Sequence, residues 1–120
     1  MFRFSNIMSI EQYENLKRNS GMRFEYVPNT ATGKEDTRKN IYVNGQKYFL
    51  SANTEKDYFL QCETDSFCVW FRYDNGWIEA QKASYHGRTE TAEKYLKKYE
   101  LILYIMCSVI KYDGIVRFVR

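Results

Sequence analysis

The chain has 120 residues, long enough for one ordinary domain to bury roughly two thirds of its unfolded surface without disulfide or metal staples. Leu, Ile, Val and Phe supply 28 residues and Pro only one, which excludes a disordered or Pro-rich linker. The formal charge is +3 from 18 basic and 15 acidic side chains mixed along the chain, a balance that neither demands nor forbids a nucleic-acid partner.

Ser9 followed three residues later by Gln12 forms a capping box, with Met8 and Tyr13 placed as a hydrophobic staple. A helix is therefore predicted over 10–19, stopped by Gly21 in the left-handed region. Residues 22–27 alternate, with Met22, Phe24 and Tyr26 on one side, and read as an edge strand ended by Pro28. Residues 29–39 lack an apolar anchor and are expected to form a mobile surface loop open to proteases.

Asn44-Gly45 between the apolar runs 41–43 and 47–50 predicts a β-hairpin, because both turn residues tolerate positive φ. Residues 58–62 and 67–73 are two further strands, and Asp74-Asn75-Gly76 turns the second into 77–80. From Glu90 the period changes. Ala92, Tyr95, Leu96, Tyr99, Ile102, Leu103, Met106 and Ile110 recur at three- and four-residue steps, predicting a helix over 90–110 with Thr89 as N-cap. Residues 101–110 are apolar almost all round, so a buried strand turned by Asp113-Gly114 into 115–119 is the alternative there. The expected fold is α+β: one domain over 1–120, with an antiparallel meander of five to six strands covered by an N-terminal and a long C-terminal helix.

No run approaches the roughly 20 apolar residues of a membrane span, and the N-terminus has no signal-like apolar segment. The expected location is the cytoplasm, without a membrane partner. Cys62, Cys68 and Cys107 are odd in number and lack the short paired spacings of zinc sites, so they read as reduced core thiols, and no metal or cofactor is expected. Thr32-Gly33-Lys34 lacks the first glycine of a phosphate-binding loop and is followed by Glu35. The sole histidine, His86, lies in a polar segment over 84–91 leading into the predicted helix. With Gly87, Arg88 and Thr89 it forms a candidate anion site; plain helix capping explains the same residues.

The compositional oddity is aromatic: eleven Tyr, eight Phe and two Trp, many beside a basic residue. Tyr, Trp and Arg dominate the energetics of protein interfaces, which nominates Tyr42, Tyr48, Trp70, Arg72, Tyr73 and Trp77 as protein-binding anchors. The leading expectation is a small non-enzymatic binding protein that docks on and inhibits a larger protein or nucleoprotein complex. The AT-rich coding bias seen in abundant Lys, Asn, Ile, Tyr and Phe fits a phage or mobile-element accessory protein directed against a host defence or regulatory complex. Two alternatives stand beside it. One is a nucleic-acid-binding domain, with Arg23, Lys47, Arg72 and Arg88 on phosphates and tyrosines stacking bases. The other is a nucleotide-acting enzyme at the 84–91 segment. The apolar run 101–110 needs a cover, which a homodimer would supply.

Overall fold

In the computed structural model of the chain, the described residues are 3–4, 8–27, 35–64, 66–74, 76–86, 99–115 and 117–118. In chain order they form β1 (Arg3–Phe4), α1 (Ile10–Ser20), β2 (Arg23–Val27), β3 (Glu35–Asp36), β4 (Arg38–Val43), β5 (Gln46–Ala52), β6 (Asp57–Cys62), β7 (Phe67–Asp74), β8 (Trp77–Tyr85), α2 (Glu100–Tyr112) and β9 (Arg117–Phe118). The protein is α+β, with β2 and β4 to β8 an antiparallel meander of six strands in the spatial order β8-β7-β6-β5-β4-β2. The short β1 pairs with β8 at one end, and β3 pairs with β9 apart from the main sheet.

Local chemistry sets the boundaries of α1. Ser9 accepts from the Gln12 backbone N–H at 3.2 Å while Gln12 Oε1 accepts from the Ser9 N–H at 2.9 Å, and Gly21 at φ 59° ends the helix. The Asn44-Gly45 turn joins β4 to β5 with φ 52° and 78°, the pair of left-handed conformations that a tight two-residue hairpin requires. As expected, β2 lies at the sheet edge, paired with β4.

Two expectations are corrected and one alternative is decided. The predicted loop over 29–39 contains β3 and the start of β4, and Lys39 is buried at 2% exposure; residues 28–34 lie outside those described. β8 continues to Tyr85, past the predicted 77–80, because β7 offers pairing partners as far as Phe67. The helix over 101–110 is the correct alternative; it runs from Glu100 to Tyr112 with Tyr99 at ψ 11° before it as N-cap, while positions 90–98 of the predicted helix lie outside the described residues. Thr89 as a cap falls outside the described residues.

One face of the sheet forms the core. Ile41, Leu50, Leu60, Val69, Phe71 and Ile78 are fully buried on it, each side chain contributing about 1.5–3 kcal/mol. α2 crosses this face: Tyr99 stacks on Phe67 of β7 with centroids 4.5 Å apart, and Cys107 faces Tyr58 of β6 and Tyr73 of β7. At its far end Tyr112 stacks on Tyr13 of α1 at 5.4 Å and donates from its hydroxyl to the Met8 carbonyl at 2.8 Å. Within the apolar run, Leu103 and Ile105 to Val109 are buried by the chain itself, Ile102, Tyr104 and Ile110 are partly buried, and Leu101 is exposed.

Candidate functional site: the open face of the sheet

Strand alternation that buries one face of the meander leaves the other as a platform of half-buried and exposed side chains. Register defines its rows. The central row runs Lys82, Trp70, Phe59, Ser51 and Arg38 across β8, β7, β6, β5 and β4. A second row, two residues along each strand, runs Ser84, Cys68, Gln61, Phe49, Asn40 and, on β2, Glu25. On the other side of the central row stand Arg72 and Asp57, opposite each other on β7 and β6, and Trp77 lies opposite Asp74 at the hairpin end.

Aromatic rings form a connected band in the middle. Phe49 meets Phe59 edge-on at 6.4 Å, Phe59 meets Trp70 at 4.9 Å, and the Lys82 ammonium lies over the Trp70 ring at 5.3 Å. Such ring pairs are worth about 0.5–1.5 kcal/mol each beyond area burial. Next to Phe49 the surface sinks into a depression of ≈ 270 Å³ lined by Asn40, Lys47, Phe49, Gln61 and Glu63.

Several of the charges are paired in place. Arg23 pairs with Glu25 at 3.1 Å and stacks on Tyr42 at 3.9 Å, Lys56 pairs with Asp74 at 3.2 Å, and Lys47 stands 4.0 Å from Glu63. Glu25 also accepts from the Tyr42 hydroxyl at 2.9 Å and from Asn40 at 3.4 Å, and these bonds hold its carboxyl below the usual range. Burial pushes the Cys68 thiol up, against the pull of Ser84 and Lys82, and burial alone pushes Cys107 well up. Both shifts favour the neutral thiol over the thiolate. Cys62 and Cys107 are core, whereas Cys68 lies half-buried on the open face.

The proposed anchors divide between the faces. Tyr42, Trp70, Arg72 and Trp77 are on the open one, and Trp77 is 49% exposed. Tyr48 is buried at 7% and Tyr73 is half-buried against the core, because each falls on the inward alternation of its strand; these two do not belong to the platform. Phe49 and Phe59 were not singled out from sequence, although their one-residue offset from Tyr48 and Tyr58 on alternating strands places them on the opposite face. In the predicted anion site, Ser84 and Tyr85 belong to β8. His86 occupies the turn that follows it, exposed at φ 50°, with its N–H donating to the Ser66 carbonyl at 3.1 Å. Gly87, Arg88 and Thr89 lie outside the described residues, and so does Arg88 as a phosphate contact.

Among the described residues no three His, Cys, Asp or Glu side chains converge as a metal site, and no helix is long and apolar enough to cross a membrane. Compared with protein families, curated proteins and solved structures, the chain matches none.

Proposed function

We propose that this protein is a non-enzymatic docking protein that blocks a larger protein or nucleoprotein complex by seating the β6 to β8 half of its open sheet face on a protein surface of that complex. The observation that carries this reading is the contiguous row Phe59, Trp70 and Lys82 with Arg72 beside it, held on hydrogen-bonded strands. Aromatic and Arg side chains at the centre of a patch with polar groups around it are the composition of an interface hot spot. A rigid sheet also loses little conformational freedom on association, so more of the contact energy is retained as affinity. The coding bias of the chain supports a phage or mobile-element accessory role, with a host complex as target.

The charge arrangement favours a protein surface over a nucleic-acid backbone. Phosphate binding draws on cations that are free to release counterions, and of the described cations nominated for phosphates Arg23 and Lys47 each stand beside a carboxylate, which leaves Arg72. The test is capture by the tagged protein from a low-GC bacterial lysate, with and without nuclease and at two salt concentrations, run beside Trp70→Ala and Phe59→Ala proteins whose circular dichroism shows them folded at the assay temperature. The expected result is a stoichiometric protein partner that survives nuclease and salt and is lost with either variant. Capture that vanishes with nuclease or salt, or is indifferent to both variants, overturns the proposal.

A further inference from the structure

The other half of the open face has a different character. Asn40, Phe49 and Gln61 stand side by side on β4, β5 and β6 in one register row, so a single phenyl ring is flanked by a carboxamide on each side. Two strand spacings, about 9.5 Å, separate the backbones of the flanking residues, which leaves room for a flat ring over Phe49 between their side chains. Lys47 and Glu63 close one end of the same ≈ 270 Å³ depression.

We infer that this depression is a binding pocket for an unpaired nucleobase. Each part supplies one element of base recognition. The Phe49 ring gives a stacking floor, already steadied by its edge contact with Phe59. A carboxamide carries both donors and an acceptor, the complement of a base edge on which the two alternate. The Asn40 amide nitrogen leans towards Glu25 at 3.4 Å, which leaves its oxygen as an acceptor, while the Gln61 amide makes no hydrogen bond among the described residues and offers both functions. The Glu63 carboxylate accepts from an exocyclic amine. Lys47, 4.0 Å from Glu63, partly offsets that carboxylate at the same end of the pocket.

The ligand has two sources, a free nucleotide or a base in a single strand, with the same recognition chemistry. The pocket shares a face and strand β6 with the docking surface but none of the residues Phe59, Trp70, Arg72 and Lys82 that carry it, so either reading can fail alone.

The deciding experiment is calorimetric titration of the full chain with the nucleoside 5′-monophosphates, with single-stranded octanucleotides, and with ribose 5-phosphate as a probe that lacks the base. Wild type is compared with Phe49→Leu, which keeps an apolar side chain on the strand, and with Gln61→Ala. Saturable binding of a nucleotide or strand is expected, absent with ribose 5-phosphate, weakened about tenfold or more in Phe49→Leu from the loss of base stacking and about threefold or more in Gln61→Ala from the loss of a hydrogen bond. Tighter binding of octanucleotides than of monophosphates assigns the strand as the source; equal binding assigns the free nucleotide. No saturation with any base-bearing probe, equal binding of ribose 5-phosphate, or affinity unchanged in both variants overturns the inference. Loss of lysate capture in Trp70→Ala with nucleotide binding intact separates this pocket from the docking surface.

Discussion

Lys39 on β4 donates a 2.7 Å hydrogen bond from its ammonium to the carbonyl oxygen of Gly114, just past the end of α2. The same cation sits over the rings of Phe24 at 4.5 Å and Tyr26 at 4.9 Å. Nearby, Lys17 of α1 pairs with Asp113 at 3.2 Å, and the Tyr13 hydroxyl donates to the same carboxylate. Two helices and the sheet edge are thus tied together where the negative end of the α2 dipole meets two cations.

The latch predicts a specific order of variants. Burial pushes the Lys39 pKa down, with the Lys17 charge acting the same way and the Asp113 charge opposing them. A lysine whose folded pKa is depressed costs stability when charged, so its contribution is best at pH above 10.5 and worsens as pH falls through the folded pKa. Lys39→Ala loses the aliphatic stem and leaves a part-buried carbonyl without its donor; a loss of about 2 kcal/mol is expected from urea unfolding at neutral pH. Lys39→Met keeps the volume and removes the charge, and should recover about half of that loss while flattening the rise in stability towards pH 10.

Tyrosines of the core set an opposite, alkaline limit. Burial raises the Tyr58 pKa from 10.0 to about 12, and its hydroxyl donates to the Glu55 carbonyl at 2.7 Å. A raised folded pKa means that stability is complete below pH 10 and is lost as pH climbs from 10 towards 12, because the unfolded chain ionises first. Tyr13 and Tyr73 are shifted in the same direction, chiefly by burial. Thermal midpoints measured across this window should fall for the wild type and fall less steeply for Tyr58→Phe. Parallel curves would remove Tyr58 from the account.

The two faces of the sheet should respond differently to truncation. Tyr48→Ala empties a core position and should cost about 3–5 kcal/mol, as large aromatic-to-alanine changes do. Trp77→Ala removes a ring that is 49% exposed and should cost clearly less, about 1–1.5 kcal/mol. Equilibrium denaturation of both variants checks the division that strand alternation imposes on residues of similar type.

At the start of α1 both capping bonds depend on two side chains within one turn. Ser9→Ala removes the acceptor for the Gln12 N–H and should cost about 1 kcal/mol. Hydrogen exchange in the first turn should quicken, while the strands, whose protection reflects global unfolding, follow only the overall loss.

Signals confined to a few consecutive residues determined much of the architecture in advance. The Ser9/Gln12 box, Gly21 and Asn44-Gly45 specify their caps and turn through their own φ angles and side-chain bonds, so α1 and the β4–β5 hairpin are legible without any tertiary partner. Alternation likewise marks the strands of the meander. Other features are decided by partners distant in sequence. The Gln81-Lys82-Ala83-Ser84 stretch has weak strand character of its own and extends because β7 pairs with it. Lys39 reads as a loop residue until Gly114, 75 positions later, and two aromatic rings receive its charge. The candidate site falls in the same class. Trp70 was visible as a residue type, but its grouping with Phe59, Phe49 and Lys82 arises only from cross-strand register, and which strand face stays open is set by where α2 lies down. Period-two alternation makes two faces; packing against the helices chooses the one left to bind.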